Sequence, residues 1–194
     1  MPMSVISTLL SRNSVKFVQG PGPSEEELGQ ILQTAMIAPD HGKLRPWRFK
    51  LIRGAAVPAL GELAFNVCEA EGVPMDPKKI AGARMWLKNV PIILAVACHI
   101  DHDNEKIPET ERVLATGSAV MNILNAAHAL GYGAFWSTGL GTYTEGVPEA
   151  LGFDELDYKF LGFVAMGNLP ERVPTKERPN YQDFVSEWQP DTTE

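Results

Sequence analysis

Residues 12–16 (RNSVK) place cationic and hydroxyl side chains close together, just after a predicted first helix. Arg12 can bind a phosphate through two parallel hydrogen bonds, and Ser14 adds a hydroxyl nearby. Lys16 follows two residues later on the same side of an extended chain, where it would reach another part of the same ligand. These residue types suit an anion that carries a polar ring. The alternative is that Arg12 and Lys16 only complement the dipole of the preceding helix, and their spacing does not decide between the two.

A second group of donors lies between the prolines at positions 39 and 46, and it contains His41, Gly42, Lys43 and Arg45. A predicted helix ends just before this segment, because the residue ahead of a proline avoids the helical conformation. A predicted strand begins at Trp47. A loop rich in donors and held by regular structure on both sides favours ligand binding. An ordinary connection with solvated charges is the alternative.

Several common catalytic patterns are absent from the sequence. It has neither the G-x-x-x-x-G-K-[ST] loop of nucleotide hydrolases nor the G-x-S-x-G turn of serine hydrolases. Residues 131–133 (GYG) open a predicted strand and lack the third glycine of the usual dinucleotide-binding turn. Residues 99–103 (HIDHD) offer metal ligands, but no second cluster completes a site, so we expect a solvated turn and no metal.

The overall charge argues against nucleic acids and membrane surfaces as partners. The chain has 17 Lys and Arg against 24 Asp and Glu, a formal net charge of -7, whereas those partners favour basic proteins. Cys68 and Cys98 are the only cysteines and lie far apart, which favours two reduced, structural thiols. The N-terminus lacks the pattern of a secretion signal and no apolar run is long enough to span a membrane. We therefore expect a cytoplasmic protein.

The elements that must position these residues can be predicted from hydrophobic periodicity. Ser24 and Glu27 form a capping box that opens a helix, and this helix ends before residue 38. The periodicity predicts further helices at 4–11, 57–71, 77–88, 112–130 and 144–151, and strands at 47–52, 90–98, 134–137 and 158–166.

The predicted strand at 90–98 is apolar almost throughout, which is typical of a central strand covered by helices on both sides. Strands separated by helices imply a layered α/β or α+β fold. We find no repeat or linker, and therefore predict a single domain over residues 1–194. From about residue 168 the chain is rich in proline, with prolines at 170, 174, 179 and 190, so we expect an extended tail.

Three motifs in the same order resemble the FMN-dependent nitroreductase family. The first is R-x-S-x-K-F at 12–17; the second is A-P-x-x-x-x-x-x-P-W-x-F at 38–49. The third is the strand and glycine turn at 131–139 (GYGAFWSTG). The short length, the form of residues 38–41 and the proline-rich tail are similar to the compact branch of that family. The resemblance extends over nearly the whole chain.

The resemblance implies an α+β fold with a mainly antiparallel central sheet, flanked by helices, in an intertwined homodimer with FMN at the interface. By matching motif positions, FMN would contact both subunits, and His41 would come from the partner. The resemblance implies that the phosphate and ribityl chain are bound by Arg12, Asn13 and Ser14, and that the pyrimidine edge of the ring lies beside Lys16. It implies that the other side of the ring is lined by Trp136, Ser137, Thr138 and Gly139. The nicotinamide cofactor is expected beside Ala126, Ala127, His128, Ala129, Leu130 and Gly131.

The resemblance also implies an activity, in which FMN accepts hydride from NADH or NADPH and passes it to a nitroaromatic, a quinone or a similar electrophile by a ping-pong cycle. A lysine beside the ring would stabilise the negative charge of reduced flavin. The alternative is a non-catalytic FMN-binding dimer that stores or senses flavin. The sequence departs from the family at Asn13, where a second arginine is common, and Arg45 is expected to compensate. Asp40 and His41 replace a small polar pair, which changes the predicted pocket.

Overall fold

The helices begin where the sequence supplies a capping group. The computed structural model describes residues 4–173 and 176–190. Helix α1 (Val5–Ser11) starts at Ser4, whose side chain accepts a hydrogen bond from the Ser7 N–H. Helix α2 (Glu25–Ala35) starts at the predicted Ser24–Glu27 capping box. The remaining elements are β1 (Trp47–Arg53), α3 (Ala56–Ala70), α4 (Pro77–Leu87), β2 (Ile92–His99), α5 (Glu109–Ala129), β3 (Tyr132–Ser137), α6 (Gly146–Ala150) and β4 (Tyr158–Asn168).

The four strands form one antiparallel sheet in the order β1-β2-β4-β3. Strand β2 is therefore central, as predicted, and its residues 92–98 are all buried. The pairing of β2 with β4 shifts register after Val96, opposite Gly162. A bulge at this position bends β4 where it passes the end of β3. The prediction of an α+β fold with an antiparallel sheet is confirmed.

The sheet separates two hydrophobic cores because its side chains alternate between the two faces. On one face, Leu94 and Val96 of β2 pack with residues of α2 and α5. On the other face, Ile93 and Ala95 pack with residues of α3 and α4. Helices therefore cover both sides of the sheet, and the ends of β3 and α4 meet on the α3–α4 side.

The starts of two helices, α5 and α6, differ from the predictions by three and two residues. Helix α5 begins at Glu109 rather than at residue 112, since the restricted backbone of Pro108 leads directly into a first turn that carries Glu109 and Glu111. Helix α6 begins only at Gly146, two residues later than predicted. The Thr144 hydroxyl donates to the carbonyl of Gly141 at 2.7 Å, so residues before α6 form a turn instead of helix.

The segment after β4 contains one short 3-10 turn, Tyr181–Asp183, within its described residues 169–173 and 176–190. Its remaining described residues form neither helix nor strand, as expected for a proline-rich segment. Pro174 and the acidic end at 191–194 lie outside the described residues. The single domain over residues 1–194 stays a prediction.

Candidate functional site

Residues 12–18 run beside β3 and are fixed there by backbone and side-chain contacts. The Val15 N–H donates to the Ala134 carbonyl at 3.0 Å. Val15 and Val18 are buried in the core between the sheet and α3–α4, while Lys16 stays exposed. Gly133 allows this close approach, because a Cβ there would lie 2.8 Å from Val18 Cγ1 and 3.2 Å from Val15 Cβ. The segment is therefore held rigidly enough to present its polar side chains in a fixed place.

The guanidinium group of Arg12 has one buried N–H donor that makes no hydrogen bond within the described residues. Its Nη1 is buried and has no hydrogen-bond partner among residues 4–173 and 176–190. A second guanidinium lies beside it, since Arg178 donates to the Arg12 carbonyl and, at 3.0 Å, to Asn13 Oδ1. Burial, and to a smaller extent the Arg178 cation, lower the pKa of Arg12 from its ordinary value. Two close cations with an unsatisfied buried donor favour an anion at this position.

The end of α5 lies next to this cationic group. The Ser11 hydroxyl and His128 Nε2 are 2.8 Å apart, which joins the last turns of α1 and α5. Burial, followed by the nearby Arg12 cation, lowers the pKa of His128 from its ordinary value. The ring is therefore neutral at pH 7 and adds no positive charge beside Arg12.

At the other end of the segment, Lys16 borders a cavity of about 460 Å³, which we call the Lys16 cavity. The Trp86 Nε1–H donates to the Lys16 carbonyl at 2.7 Å, which fixes the backbone. Lys16 Nζ lies 5.8 Å from the Trp86 ring and 5.6 Å from the Phe17 ring, within cation–π range. Further lining comes from α4 and from the turn after β3: Lys79, Gly82, Ala83, Ser137, Gly139 and Leu140.

The turn after β3 can reach this cavity because β4 has a glycine, Gly162, where it passes the end of β3. Gly162 has φ +100°, and a Cβ at this residue would collide with the Ser137 carbonyl oxygen. The Ser137 hydroxyl accepts a hydrogen bond from the Gly139 N–H at 3.1 Å, and Thr138 and Gly139 are exposed. The turn therefore offers backbone and hydroxyl groups to a ligand without a bulky side chain in the way.

Trp136 lies on the opposite face of the sheet from Ser137, as neighbouring residues of a strand must. Its Nε1–H donates to the Leu161 carbonyl at 2.9 Å, and its ring packs against the core formed with α2 and α5. The indole is not among the residues that line the Lys16 cavity. A contact of Trp136 with a cofactor stays a prediction.

The donor-rich loop at 38–49 lies at the far end of α5. His41 Nδ1 is 2.7 Å from Glu111 Oε2, near the start of α5, whereas Arg12 lies near His128 at its end. At the helical rise of 1.5 Å per residue, Glu111 and His128 are about 25 Å apart. Within one chain the structure therefore does not bring His41 to the segment that contains Arg12.

This loop has an unusual backbone. Gly42, Lys43 and Arg45 all have positive φ, at 74°, 58° and 49°. The Asp40 carboxylate stabilises the turn by accepting a hydrogen bond from the Arg45 N–H at 2.6 Å. Non-glycine residues in this conformation persist only where the surrounding structure requires it, and they concentrate at functional sites.

The sequence as a whole matches a known family. A sequence model of the nitroreductase family matches residues 9–168, which include the Arg12 segment and all four strands. The chain belongs to the nitroreductase family. The predicted family is confirmed.

Two relatives of this nitroreductase-family chain cover nearly its full length. YdjA of Escherichia coli K12, provisionally named an NAD(P)H nitroreductase, is 34% identical over 182 residues, which are 89% of this chain and 97% of YdjA. A Haemophilus influenzae protein with a similar provisional name is 30% identical over 185 residues, which are 95% of this chain and 99% of the relative. A 5,6-dimethylbenzimidazole synthase of Rhodospirillum rubrum is 28% identical over 86% of this chain and 82% of the synthase.

Two solved structures share the fold of this family member. A nitroreductase-like protein from Bacillus cereus has a TM-score of 0.79 at 21% identity, over 96% of this chain and 97% of that protein. A Desulfovibrio desulfuricans protein solved in complex with FMN has a TM-score of 0.74 at 22% identity, over 98% of this chain and 100% of that protein. The nitroreductase fold of this chain is therefore confirmed.

Some residues of the site were not expected from the sequence. Lys79, Ala83 and Trp86 line the Lys16 cavity, and their spacing of four and three residues places them on one face of α4. That spacing, with small residues beside a tryptophan, is the signal that would have identified this face. The sequence offers Lys176 and Arg178 of the C-terminal tail as candidate phosphate ligands, although no motif supports either of them, and the structure brings Arg178 to Arg12 across 166 positions.

Other residues with reactive side chains lie away from this site. His102 Nε2 is 2.6 Å from the Leu156 carbonyl, and no group of three or more metal-ligating side chains occurs within the described parts of the chain. Cys68 and Cys98 are both buried and free, and burial is the main cause that raises the pKa of each thiol. No helix among the described residues is long and apolar enough to cross a membrane.

Proposed function

We propose that the protein is an FMN-dependent NAD(P)H oxidoreductase that reduces nitroaromatics, quinones or similar electrophiles. The observation that carries this proposal is the segment at 12–16. It has at one end an arginine whose buried Nη1 lacks a hydrogen-bond partner among the described residues, and at the other end a lysine beside a cavity. A flavin mononucleotide has a phosphate and an electron-accepting ring, separated by a flexible chain, and it matches both ends. The names of the relatives and the FMN-bound structure support this assignment.

The phosphate would be held by Arg12, Ser14 and Arg178. Arg12 Nη1 supplies the buried donor that has no other partner among the described residues, and the Arg178 guanidinium lies within reach of the Arg12 carbonyl. Ser14 is exposed on the same segment and adds a hydroxyl. Asn13 accepts a hydrogen bond from Arg178 and thereby positions this second cation, which takes the place of the arginine common at position 13.

The ring would be held in the Lys16 cavity. When bound, FMN supplies a site that accepts hydride from a nicotinamide and donates it to an electrophile in a ping-pong cycle. Lys16 would stabilise negative charge on the reduced ring, because its ammonium group borders the cavity. Ser137 and Gly139 would contact the ring edge, and the Trp86 hydrogen bond keeps the Lys16 backbone in place.

The chain needs no acid–base triad for this reaction, since catalysis depends on positioning the reactants. In the first two-electron reduction of a nitro group, one NAD(P)H and one proton convert it to a nitroso group and one water. The nicotinamide cofactor is proposed to lie beside residues 126–131 at the end of α5. The Ser11–His128 hydrogen bond holds these residues next to Arg12.

The active form is proposed to be a homodimer. Helix α1, the end of α2 and α5 expose large apolar side chains that a second copy would cover, namely Val5, Ile6, Leu10, Ile37, Leu114 and Met121. His41 contacts Glu111 at the start of α5, about 25 Å along this helix from His128 at the end that lies beside Arg12. A loop from the partner can place His41, and Arg45 with it, at that segment.

The proposal is tested by purifying the protein and recording its absorbance spectrum before and after addition of FMN. Binding of FMN, bleaching of the flavin by NADH or NADPH, and recovery with a nitroaromatic or quinone are expected. A protein that binds FMN but is not bleached would support the alternative, a dimer that stores or senses flavin. A protein that takes up no FMN contradicts both functions.

A further inference from the structure

A second cavity of about 270 Å³ lies beside the Lys16 cavity, between α3, the start of α4 and the turn after β3. We call it the α3–α4 cavity. The two cavities are neighbours and share a wall, because four residues line both of them: Lys79, Ala83, Gly139 and Leu140. The proposed reaction assigns no ligand to the α3–α4 cavity.

The walls of the α3–α4 cavity are mainly apolar. Phe65 and Ala64 line it from α3, Ile80 from α4, and Pro74 and Met75 from the loop between the helices. A cavity of about 150 Å³ with such walls holds a benzene molecule, so this space accommodates a substituted aromatic ring. It is too small for a nicotinamide dinucleotide, since pockets for drug-sized ligands start at about 300 Å³.

Two charged side chains line the cavity, and only that of Asp76 forms a hydrogen bond within the described part of the chain. Asp76 is the cap of α4, and its carboxylate accepts a hydrogen bond from the Lys78 N–H at 2.8 Å. Lys79 is exposed and has no carboxylate within salt-bridge distance in the described part of the chain. A ligand therefore meets a free cation on the wall between the two cavities.

Two of the four residues shared by the cavities are small, and a ligand group can pass beside them. Ala83 contributes only a methyl group, and Gly139 contributes no side chain. Gly141 and Cys68 also line the α3–α4 cavity, and a Cβ at Gly141 would lie only 2.8 Å from Val147 Cγ2. A ring in the α3–α4 cavity can thus extend a substituent past Ala83 into the Lys16 cavity.

We propose that the α3–α4 cavity binds the ring of the electron acceptor, and that Lys79 selects acceptors that carry a carboxylate or another anionic group. This inference rests on the proposed function and specifies its substrate class: single-ring aromatic electrophiles with a negative charge. Lys79 acts here as a specificity-determining residue through its ammonium group. The reducible substituent lies toward Lys16, on the side where the flavin ring is proposed.

The test compares 2-nitrobenzoate, whose carboxylate and nitro group lie on the same side of the ring, with nitrobenzene as acceptors for the FMN-loaded protein. Lys79→Met should lower kcat/KM for 2-nitrobenzoate about fivefold, as loss of one partly exposed ion pair does, and should change the value for nitrobenzene less than twofold. Lys78→Met is the matched control, since Lys78 lies next to Lys79 on α4 but lines neither cavity. It should change neither value. Equal effects of the two variants contradict the proposal.

A second variant and a binding measurement test the cavity itself. Met75→Trp fills the space from a loop, so it should raise KM for both acceptors about tenfold and abolish binding of benzoate measured by calorimetry. Unchanged benzoate binding in this variant would overturn the assignment. The FMN dissociation constant is measured for every variant, and a tenfold weakening in Lys79→Met would assign Lys79 to the cofactor instead.

The two proposals can fail separately. If the protein takes up no FMN, the proposed function is wrong, and benzoate binding to the protein alone still tests the cavity. If FMN binds and is bleached but 2-nitrobenzoate and nitrobenzene respond identically to Lys79→Met, only the inference about the acceptor is wrong.

Discussion

The replacement Gly162→Ala tests how the end of β3 is positioned. Gly162 lies on β4 with φ +100°, a conformation that residues with a side chain rarely adopt. An added Cβ would collide with the Ser137 carbonyl oxygen and lie 3.4 Å from Thr138 Cα. Both neighbours are backbone atoms, so they cannot rotate away as a side chain would.

The cost of this replacement has two parts. Backbone strain at such a φ contributes about 1–3 kcal/mol. Relief of the collision requires a shift of the backbone at Ser137, which adds about 1–3 kcal/mol, as other overpacked sites do. We therefore expect Gly162→Ala to lower the free energy of unfolding by the sum of the two parts, about 2–6 kcal/mol. The displaced turn at 137–139 should also weaken binding of FMN.

The measurement is urea denaturation followed by circular dichroism, with Gly72→Ala as the control. Gly72 also has positive φ, at 71°, but an added Cβ there has no neighbour within 4 Å. The control should therefore lose only about 1 kcal/mol, the cost of the backbone conformation. Equal losses in the two variants would falsify the argument that the close contact between the backbones of Ser137 and β4 requires a glycine at position 162.

Three further predictions concern the cofactor, pH and assembly. Arg12→Ala should weaken FMN binding about 10- to 100-fold in a fluorescence titration, because a charged hydrogen bond to phosphate is lost, whereas the exposed Arg172→Ala should change it less than twofold. The pKa of His128 is lower in the folded protein, so its contribution to stability is present above pH 6.5 and is lost as the pH falls below that value; His128→Gln should flatten this loss in urea melts. Ile37→Glu should convert the dimer to monomer in sedimentation experiments, since Ile37 is 77% exposed on the proposed interface, whereas Val73→Glu should not.

Each of these predictions has a clear opposing result. Equal loss of FMN from Arg12→Ala and Arg172→Ala means that the phosphate lies elsewhere. A stability profile that His128→Gln leaves unchanged between pH 6.5 and 5 rejects the buried neutral ring. A wild-type protein that sediments as a monomer contradicts the homodimer, and a second interface is required if Ile37→Glu remains dimeric.

The sequence predicted the elements that depend on local pattern. The unbroken apolar run of β2 marked it as central, and the capping box at Ser24 marked the start of α2, since each signal lies within a few residues. The start of α6 was predicted too early, because the hydrogen bond between Thr144 and the Gly141 carbonyl competes with the helix. Such competition depends on the geometry of the turn, which the periodicity does not record.

The candidate site was predicted only in part, because its remaining features depend on distant residues. Arg12 and Lys16 stood out as donors, but their environment depends on Arg178 and Trp86, which lie far away in sequence. That Arg12 Nη1 is buried and has no hydrogen-bond partner in the described parts of the chain can be seen only once the chain is folded. The two cavities beside α4 likewise exist only because α4 packs next to the turn after β3.

The contact between Arg12 and Arg178 also affects when the site can form during synthesis. These residues are separated by 166 positions, so the two cations cannot meet until a ribosome has synthesised the chain as far as Arg178. At about 5–20 residues per second, the first cation waits on the order of ten seconds for the second. During this interval the sheet can be completed, because β4 ends at Asn168. Capture of an anion by both arginines is thus a step that follows the synthesis of all four strands.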